Sequence, residues 1–167
     1  MSDAPVTIEA YNKRWPNMFE QEKQRLTKLL LPWVKGSIEH VGSTAVPDLQ
    51  AKPIIDIMVG VATLEASREA IPLLQDNGYC YYPYKADVMH WFCKPSPEVR
   101  THHLHLIPFN SKLWQERLKF RDTLRRNADI REEYAQLKYA LAKRYHSDRE
   151  QYTRKKWPFI QRVLQSA

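Results

Sequence analysis

The segment Pro53-Ile54-Ile55-Asp56-Ile57-Met58-Val59 constrains this chain more than any other stretch. An apolar run broken only by Asp56 has no polar face to offer water. Such a strand must be covered on both sides, which calls for a sheet with helices packed over each face. A length of 167 residues accommodates one domain of that kind. An acid inside the run is costly to bury unless it meets a partner. Asp56 therefore belongs either to a pocket or to a structural ion pair, with Lys52 or Arg121 as the candidate cations.

The remaining elements follow from periodicity. Trp15-Pro16-Asn17 opens a helix in which Phe19, Leu26 and Leu30 recur at helical spacing, and Pro32 ends it. Ser37 to Val41 is expected as a short strand stopped by Gly42-Ser43. A helix around Leu64 to Gln75 precedes the stop signal Asn77-Gly78. Further strands are expected at Tyr79 to Tyr82, Met89 to Cys93 and Thr101 to Ile107. From Leu113 the pattern turns helical, with Leu113, Phe120 and Leu124 as one stripe and Ile130, Tyr134, Leu137, Leu141 and Tyr145 as another. Ser147-Asp148 caps a last helix carrying Tyr152, Phe159, Ile160 and Val163. The expected fold class is α/β (α+β): a mixed sheet of about five strands with an N-terminal helix and a C-terminal helical segment. Residues 1–167 form one domain, with a sheet-containing part at 1–110 and a basic helical part at 111–167.

Charge separates those two parts. Residues 1–110 carry 11 Lys+Arg and 12 Asp+Glu, whereas residues 111–167 carry 15 and 7. The formal net charge of +7 thus comes from the last third of the chain. That imbalance favours an anionic partner, whether nucleotide, other anionic small molecule or RNA; solvated faces of amphipathic helices are the alternative. No stretch approaches the ~20 apolar residues that span a bilayer. Residues 1–10 contain acids and lack the apolar centre of a secretory signal. A cytoplasmic location without a membrane partner is expected, and Cys80 and Cys93 are then reduced core thiols outside any CxxC zinc spacing.

Chemistry concentrates around Asp56. Gly42-Ser43 follows a strand and precedes Asp56 by twelve intervening residues. Glycine lets the backbone approach a phosphate and serine adds a donor. A carboxylate on the next strand can then hold a divalent cation against that phosphate. This is the nucleotidyltransferase arrangement, with two departures. Met58 stands where a second acid is usual, and His105 of Leu104-His105-Leu106 stands where a third is expected. Alternation puts His103 and His105 on one strand face, with His102 on the other and at the surface. Asp56 and His105 suit one Mg²⁺-like ion at best, or act with His103 as acid and base.

Several basic and aromatic positions have simpler readings. Arg117, Arg121 and Arg125 recur every four residues as one helix ridge. Lys143-Arg144 and Arg154-Lys155-Lys156 read as solvated faces. Trp114, Tyr134, Tyr145 and Trp157 read as core, not as base-stacking platforms.

Longer motifs point to a family. His40-Val41-Gly42-Ser43-Thr44-Ala45-Val46-Pro47 and Ala51-Lys52-Pro53-Ile54-Ile55-Asp56-Ile57 resemble the signature of the GrpB family. So do His103-Leu104-His105-Leu106, Phe120-Arg121-Asp122 with Leu124-Arg125, Tyr134 with Leu137-Lys138, and Tyr152 with Lys155-Lys156. The resemblance runs from the first helix to the last. It implies a nucleotidyltransferase-like fold in a family whose domain is sometimes fused to dephospho-CoA kinase. It also implies a pocket formed by His40, Ser43, Lys52, Asp56, His103, His105, Arg121 and Lys138, beside Gly42. Some fungal relatives are associated with arginine-containing cyclodipeptides made from aminoacyl-tRNA, so a tRNA-dependent enzyme is a second expectation. A non-catalytic nucleotide- or protein-binding module is a third, motivated by Met58.

Overall fold

A computed structural model describes residues 5–166; residues 1–4, which begin the stretch expected not to be a secretory signal, lie outside the described residues. The elements are α1 (Trp15–Leu29), β1 (Val34–Val41), β2 (Ile55–Val61), α2 (Ala70–Gln75), β3 (Cys80–Tyr82), β4 (His90–Pro95), β5 (Arg100–Pro108), α3 (Lys112–Arg126), α4 (Ala128–Arg144) and α5 (Arg149–Ser166). Pro16 falls in the first turn of α1, where its missing N–H costs nothing. Ser111 caps α3 and Asn127 caps α4, each through a side-chain oxygen accepting backbone N–H groups. Helix α2 is shorter than expected, because Thr63 Oγ1 accepts from the Ala66 amide and bends the preceding residues into a turn. Among the described residues no helix is long and apolar enough to cross a membrane.

The five strands form one mixed sheet in the order β1-β2-β5-β4-β3. Strands β2 and β5 run parallel at its centre, and the other neighbours are antiparallel. The run read as doubly covered is indeed central. Ile55, Ile57, Val59 and Val61 join Leu104, Leu106 and Phe92 on one face, against Trp15 and Leu26 of α1, Leu30 just after it, and Ala70 and Leu74 of α2. The opposite face buries Met58, Trp91, Cys93 and Ile107 with Trp114 of α3. A further cluster of Val46, Leu49, Leu124, Tyr134, Phe159 and Val163 ties α3, α4 and α5 to the segment after β1.

Candidate functional site

The parallel ladder sets Asp56 beside His103 and Met58 beside His105. All four project to the face covered by the C-terminal helices, and there the sheet and helices enclose a cavity of about 1090 Å³. Gly42, Ser43, Lys52, Asp56, His103, His105 and Lys138 line it. These residues are distant in sequence and share one concave site.

At the cavity floor, Asp56 Oδ1 lies 3.2 Å from His103 Nδ1 and 3.4 Å from His105 Nε2. Arg117 Nη1 lies 3.4 Å from the other nitrogen of His105, Nδ1. The Asp56 carboxylate can only accept, so Nε2 carries the proton that faces it, and in the neutral ring Nδ1 is left to accept from Arg117, with Met89 Sδ 3.5 Å away. Burial pushes His105 down to about 4, Arg117 adds to that, and Asp56 opposes it. Burial likewise lowers His103 against the pull of Asp56. Both imidazoles are thus neutral donors at pH 7. Burial would raise the Asp56 carboxyl, but hydrogen bonds from His103 and His105 outweigh it and hold it well below the usual range. The carboxylate keeps 26% of its side-chain surface open to the cavity.

Gly42 makes this floor possible. Its backbone has φ 74° and ψ −173°, a region open almost only to glycine. A Cβ there would stand 2.4 Å from Asp56 Oδ2. His40 lies behind the turn and not on the cavity wall. Thr44 Oγ1 donates to Ile54 O at 3.0 Å and accepts from His40 Nε2 at 2.9 Å. The His40 ring stacks on Phe19 at 4.8 Å, and burial lowers it to about 4. His40 therefore braces the turn from the sheet side.

The cavity lining is predominantly basic. Eight Lys and Arg side chains line the cavity against the three carboxylates Asp56, Glu116 and Glu150. Lys52 Nζ and Lys156 Nζ lie 4.8 and 4.6 Å from the centre of the Tyr152 ring. Lys138, 1% exposed, donates to Gln50 O and lies 4.9 Å from the Tyr134 ring centre. Burial lowers the pKa of all three lysines, with Lys156 brought to about 8.

Arg121 is not on this wall. Its Nη1 donates to Glu39 Oε1 at 2.9 Å and to His40 O at 3.1 Å, while Nε donates to Asp122 Oδ1 at 2.9 Å. The arginine that reaches the cavity is Arg117, one turn earlier. Arg125 Nε donates to Ala45 O at 2.9 Å. The ridge at 117, 121 and 125 thus faces inward and fastens α3 to β5, β1 and the turn in succession. His102 is partly buried, its ring bonded to Thr101 Oγ1 at 2.7 Å, and burial holds it near about 4.

Two groups were misread in the sequence. The run Arg154-Lys155-Lys156 reads in the sequence as a solvated face, yet Lys156 lies with Arg149, Tyr152 and Phe159 on the inward stripe of α5, and Arg154 also borders the cavity. A cation at a core-facing helical position was the available signal. Trp157, read as core, is 45% exposed at the cavity edge, whereas Tyr134 is core as the sequence indicates and also lines the cavity.

Asp56, His103 and His105 bring their ligand atoms within 4.8 Å of one another, the first requirement of a metal centre. The other requirements are not met for a Mg²⁺-like ion. That ion prefers an octahedron of oxygens, and two of these three donors are nitrogens. A ligating histidine also points its second nitrogen at an acceptor, whereas that of His105 faces the Arg117 donor.

Comparisons with known proteins place this geometry. The model of the family described as GrpB protein matches residues 5–166. The Glutamate-rich protein GrpB of Alkalihalophilus pseudofirmus is 32% identical over 164 residues, covering 95% of this chain and 94% of that one. A UPF0157 protein of Pseudomonas aeruginosa is 39% identical, covering 97% of this chain and 67% of its own. The UPF0157 protein YqkA of Bacillus subtilis is 33% identical, and the match covers 97% of this chain and 47% of that longer relative. The crystal structure of GrpB from Enterococcus faecalis superposes with a TM-score of 0.86 at 32% identity, covering 96% of each chain.

Proposed function

The chain belongs to the GrpB family, and from that premise we propose that it is a nucleotidyltransferase-like protein binding a nucleotide or other phosphorylated ligand above Asp56. The observation that carries this reading is the excess of eight cations over three carboxylates in the cavity lining, around the hydrogen-bonded Asp56 carboxylate beside the Gly42-Ser43 turn. A cavity of about 1090 Å³ has room for a nucleoside triphosphate. Phosphate oxygens would accept from Ser43, Lys52, Lys138 and Lys156. In a nucleotidyl transfer, the acceptor hydroxyl or amine would donate a hydrogen bond to Asp56 while its heteroatom bonds to phosphorus. Pyrophosphate would leave with its charge on the lysines, and the acceptor proton would pass to water. A carboxylate held this far below its usual range is a weak base, so Asp56 works by orientation and charge.

Thermal shift with ATP, ADP and pyrophosphate tests the reading. A ligand about a hundredfold above its Kd should raise the melting temperature by about 5–10 °C. Lys156→Met should reduce that shift by about half or more. The same substitution should raise the melting temperature of the free protein by about 3 °C, because it relieves repulsion among Lys156, Arg149 and Arg117. Burial first, then those two arginines, holds Lys156 near about 8 against the pull of Asp56. As pH rises through that value the amine loses its proton, so affinity should fall by up to about tenfold per pH unit. If none of the three phosphates stabilises the protein, the reading fails.

A second reading takes an aminoacyl-tRNA as substrate of a cyclodipeptide-forming enzyme. It is favoured by α5, which puts Arg149 and Lys156 inside the cavity and leaves Lys155 exposed outside it. Counterion release predicts tRNA affinity that drops about a hundredfold or more between low and physiological salt. Absent or salt-insensitive tRNA binding would exclude it. The third reading, a binding module without catalysis, draws on Met58, which is fully buried against Trp91 and Trp114 and supplies no second acid. Any turnover lost in Asp56→Asn would reject that reading.

A further inference from the structure

We infer that the cavity takes its phosphorylated ligand without a divalent cation, with Lys52, Lys138 and Lys156 in the place of a metal ion. This inference rests on the reading above and sharpens its substrate class to the metal-free polyphosphate.

Three independent features support it. Asp56 Oδ1 already accepts from two imidazoles, at 3.2 and 3.4 Å, so the oxygen a cation would take is engaged by donors. Those imidazoles are oriented for donation. Arg117 occupies the far nitrogen of His105 at 3.4 Å and so keeps a proton on the nitrogen a metal would need. His103 turns Nδ1 to Asp56, and its Nε2 is buried with no hydrogen-bond partner among the described residues, so no acceptor prepares it as a ligand.

The second feature is the source of charge. The three lysines come from the segment before β2, from α4 and from α5, so their convergence is a property of the tertiary fold and not of one helix face. Lys52 and Lys156 are held over the same Tyr152 ring, and Lys138 over Tyr134. Their stems are packed and all three line one cavity, with the Lys138 amine anchored on Gln50 O, which is the preorganisation that phosphate oxygens require. Third, the lysines and arginines of that wall repel an added divalent cation and attract a free polyphosphate more strongly than its Mg²⁺ complex, which carries two fewer negative charges.

Calorimetric titration of the full chain with ATP, in chelator and in excess Mg²⁺, separates the alternatives. Saturable binding in chelator is expected, with affinity equal to or up to about tenfold tighter than in Mg²⁺. Lys52→Met and Lys156→Met should each weaken the chelator-buffer affinity by about tenfold or more. Asp56→Asn should tighten that affinity, since it removes a negative charge beside the phosphates. ATP binding that appears only with Mg²⁺ or Mn²⁺, or is lost in Asp56→Asn, overturns the metal-free inference while leaving the nucleotide reading intact. Failure of ATP, ADP and pyrophosphate to bind in either buffer overturns both.

Discussion

Gly42→Ala should lower stability by about 3–5 kcal/mol and eliminate ligand binding by whatever protein still folds. Two effects add. At φ 74° and ψ −173° the backbone sits where a side chain costs about 1–3 kcal/mol. The new methyl would also stand 2.4 Å from Asp56 Oδ2, so the carboxylate must turn away from both imidazoles. Hydrogen bonds to a charged group contribute about 1.5–3 kcal/mol, and those are the bonds at stake. Gly78→Ala is the matched control. Its φ is also positive, at 96°, but nothing lies within 4 Å of the added carbon, so only about 1 kcal/mol of backbone strain is expected. Urea unfolding of the two variants makes the comparison. Equal losses, with a normal ATP response in Gly42→Ala, would show that the turn does not position Asp56.

The second large effect is acid sensitivity. His40, His102 and His105 are each lowered to about 4, chiefly by burial, and His103 is lowered as well. The ordinary value in an unfolded chain is about 6.5. Between those limits the unfolded state binds protons that the folded state refuses, so stability falls as pH falls. One such group contributes a slope of up to about 1.4 kcal/mol per pH unit, the three lowered to about 4 contribute up to about 4, and His103 adds in the same direction. Asp56 adds in the same direction lower down. Its folded value is depressed, so its contribution is present above the ordinary carboxylate range and lost as pH falls below it. A domain at the low end of the usual range of about 5–15 kcal/mol should therefore unfold near pH 5. Melts from pH 7.5 downward should show a steep loss, made shallower by about one proton in His102→Gln. A melting temperature that stays level down to pH 4.5 would contradict this account.

The sheet was legible because its signals are local. Alternation in β5 predicted that His103 and His105 share a face, and the apolar run around Asp56 predicted a central strand. The Gly42-Ser43 turn could be read for the same reason. The cationic wall was harder, because hydrophobic periodicity treats every lysine as a vote for solvent. Lys156 sits on the same stripe as Tyr152 and Phe159, and its burial depends on a cavity that three other elements build. Arg117 and Arg121 illustrate a finer limit. They share one helix face, and only the packing of α3 across the sheet decides that Arg117 meets His105 while Arg121 meets Glu39. Motif matching favoured Arg121, whose pairing locks the helix to β1, over the neighbour that reaches the floor of the cavity.

The parallel pairing of β2 with β5 has a kinetic consequence. Asp56 and His105 are 49 residues apart along the chain, and α2, β3 and β4 lie between them. A parallel pair cannot close through a hairpin, so the antiparallel β4–β5 unit can form early while Asp56 waits for the long crossover to dock. The cation-lined cavity is thus assembled by non-local contacts made late in folding. A ligand held there would act as a latch on the finished protein, prolonging its lifetime by slowing escape from the native state while leaving the speed of reaching that state unchanged.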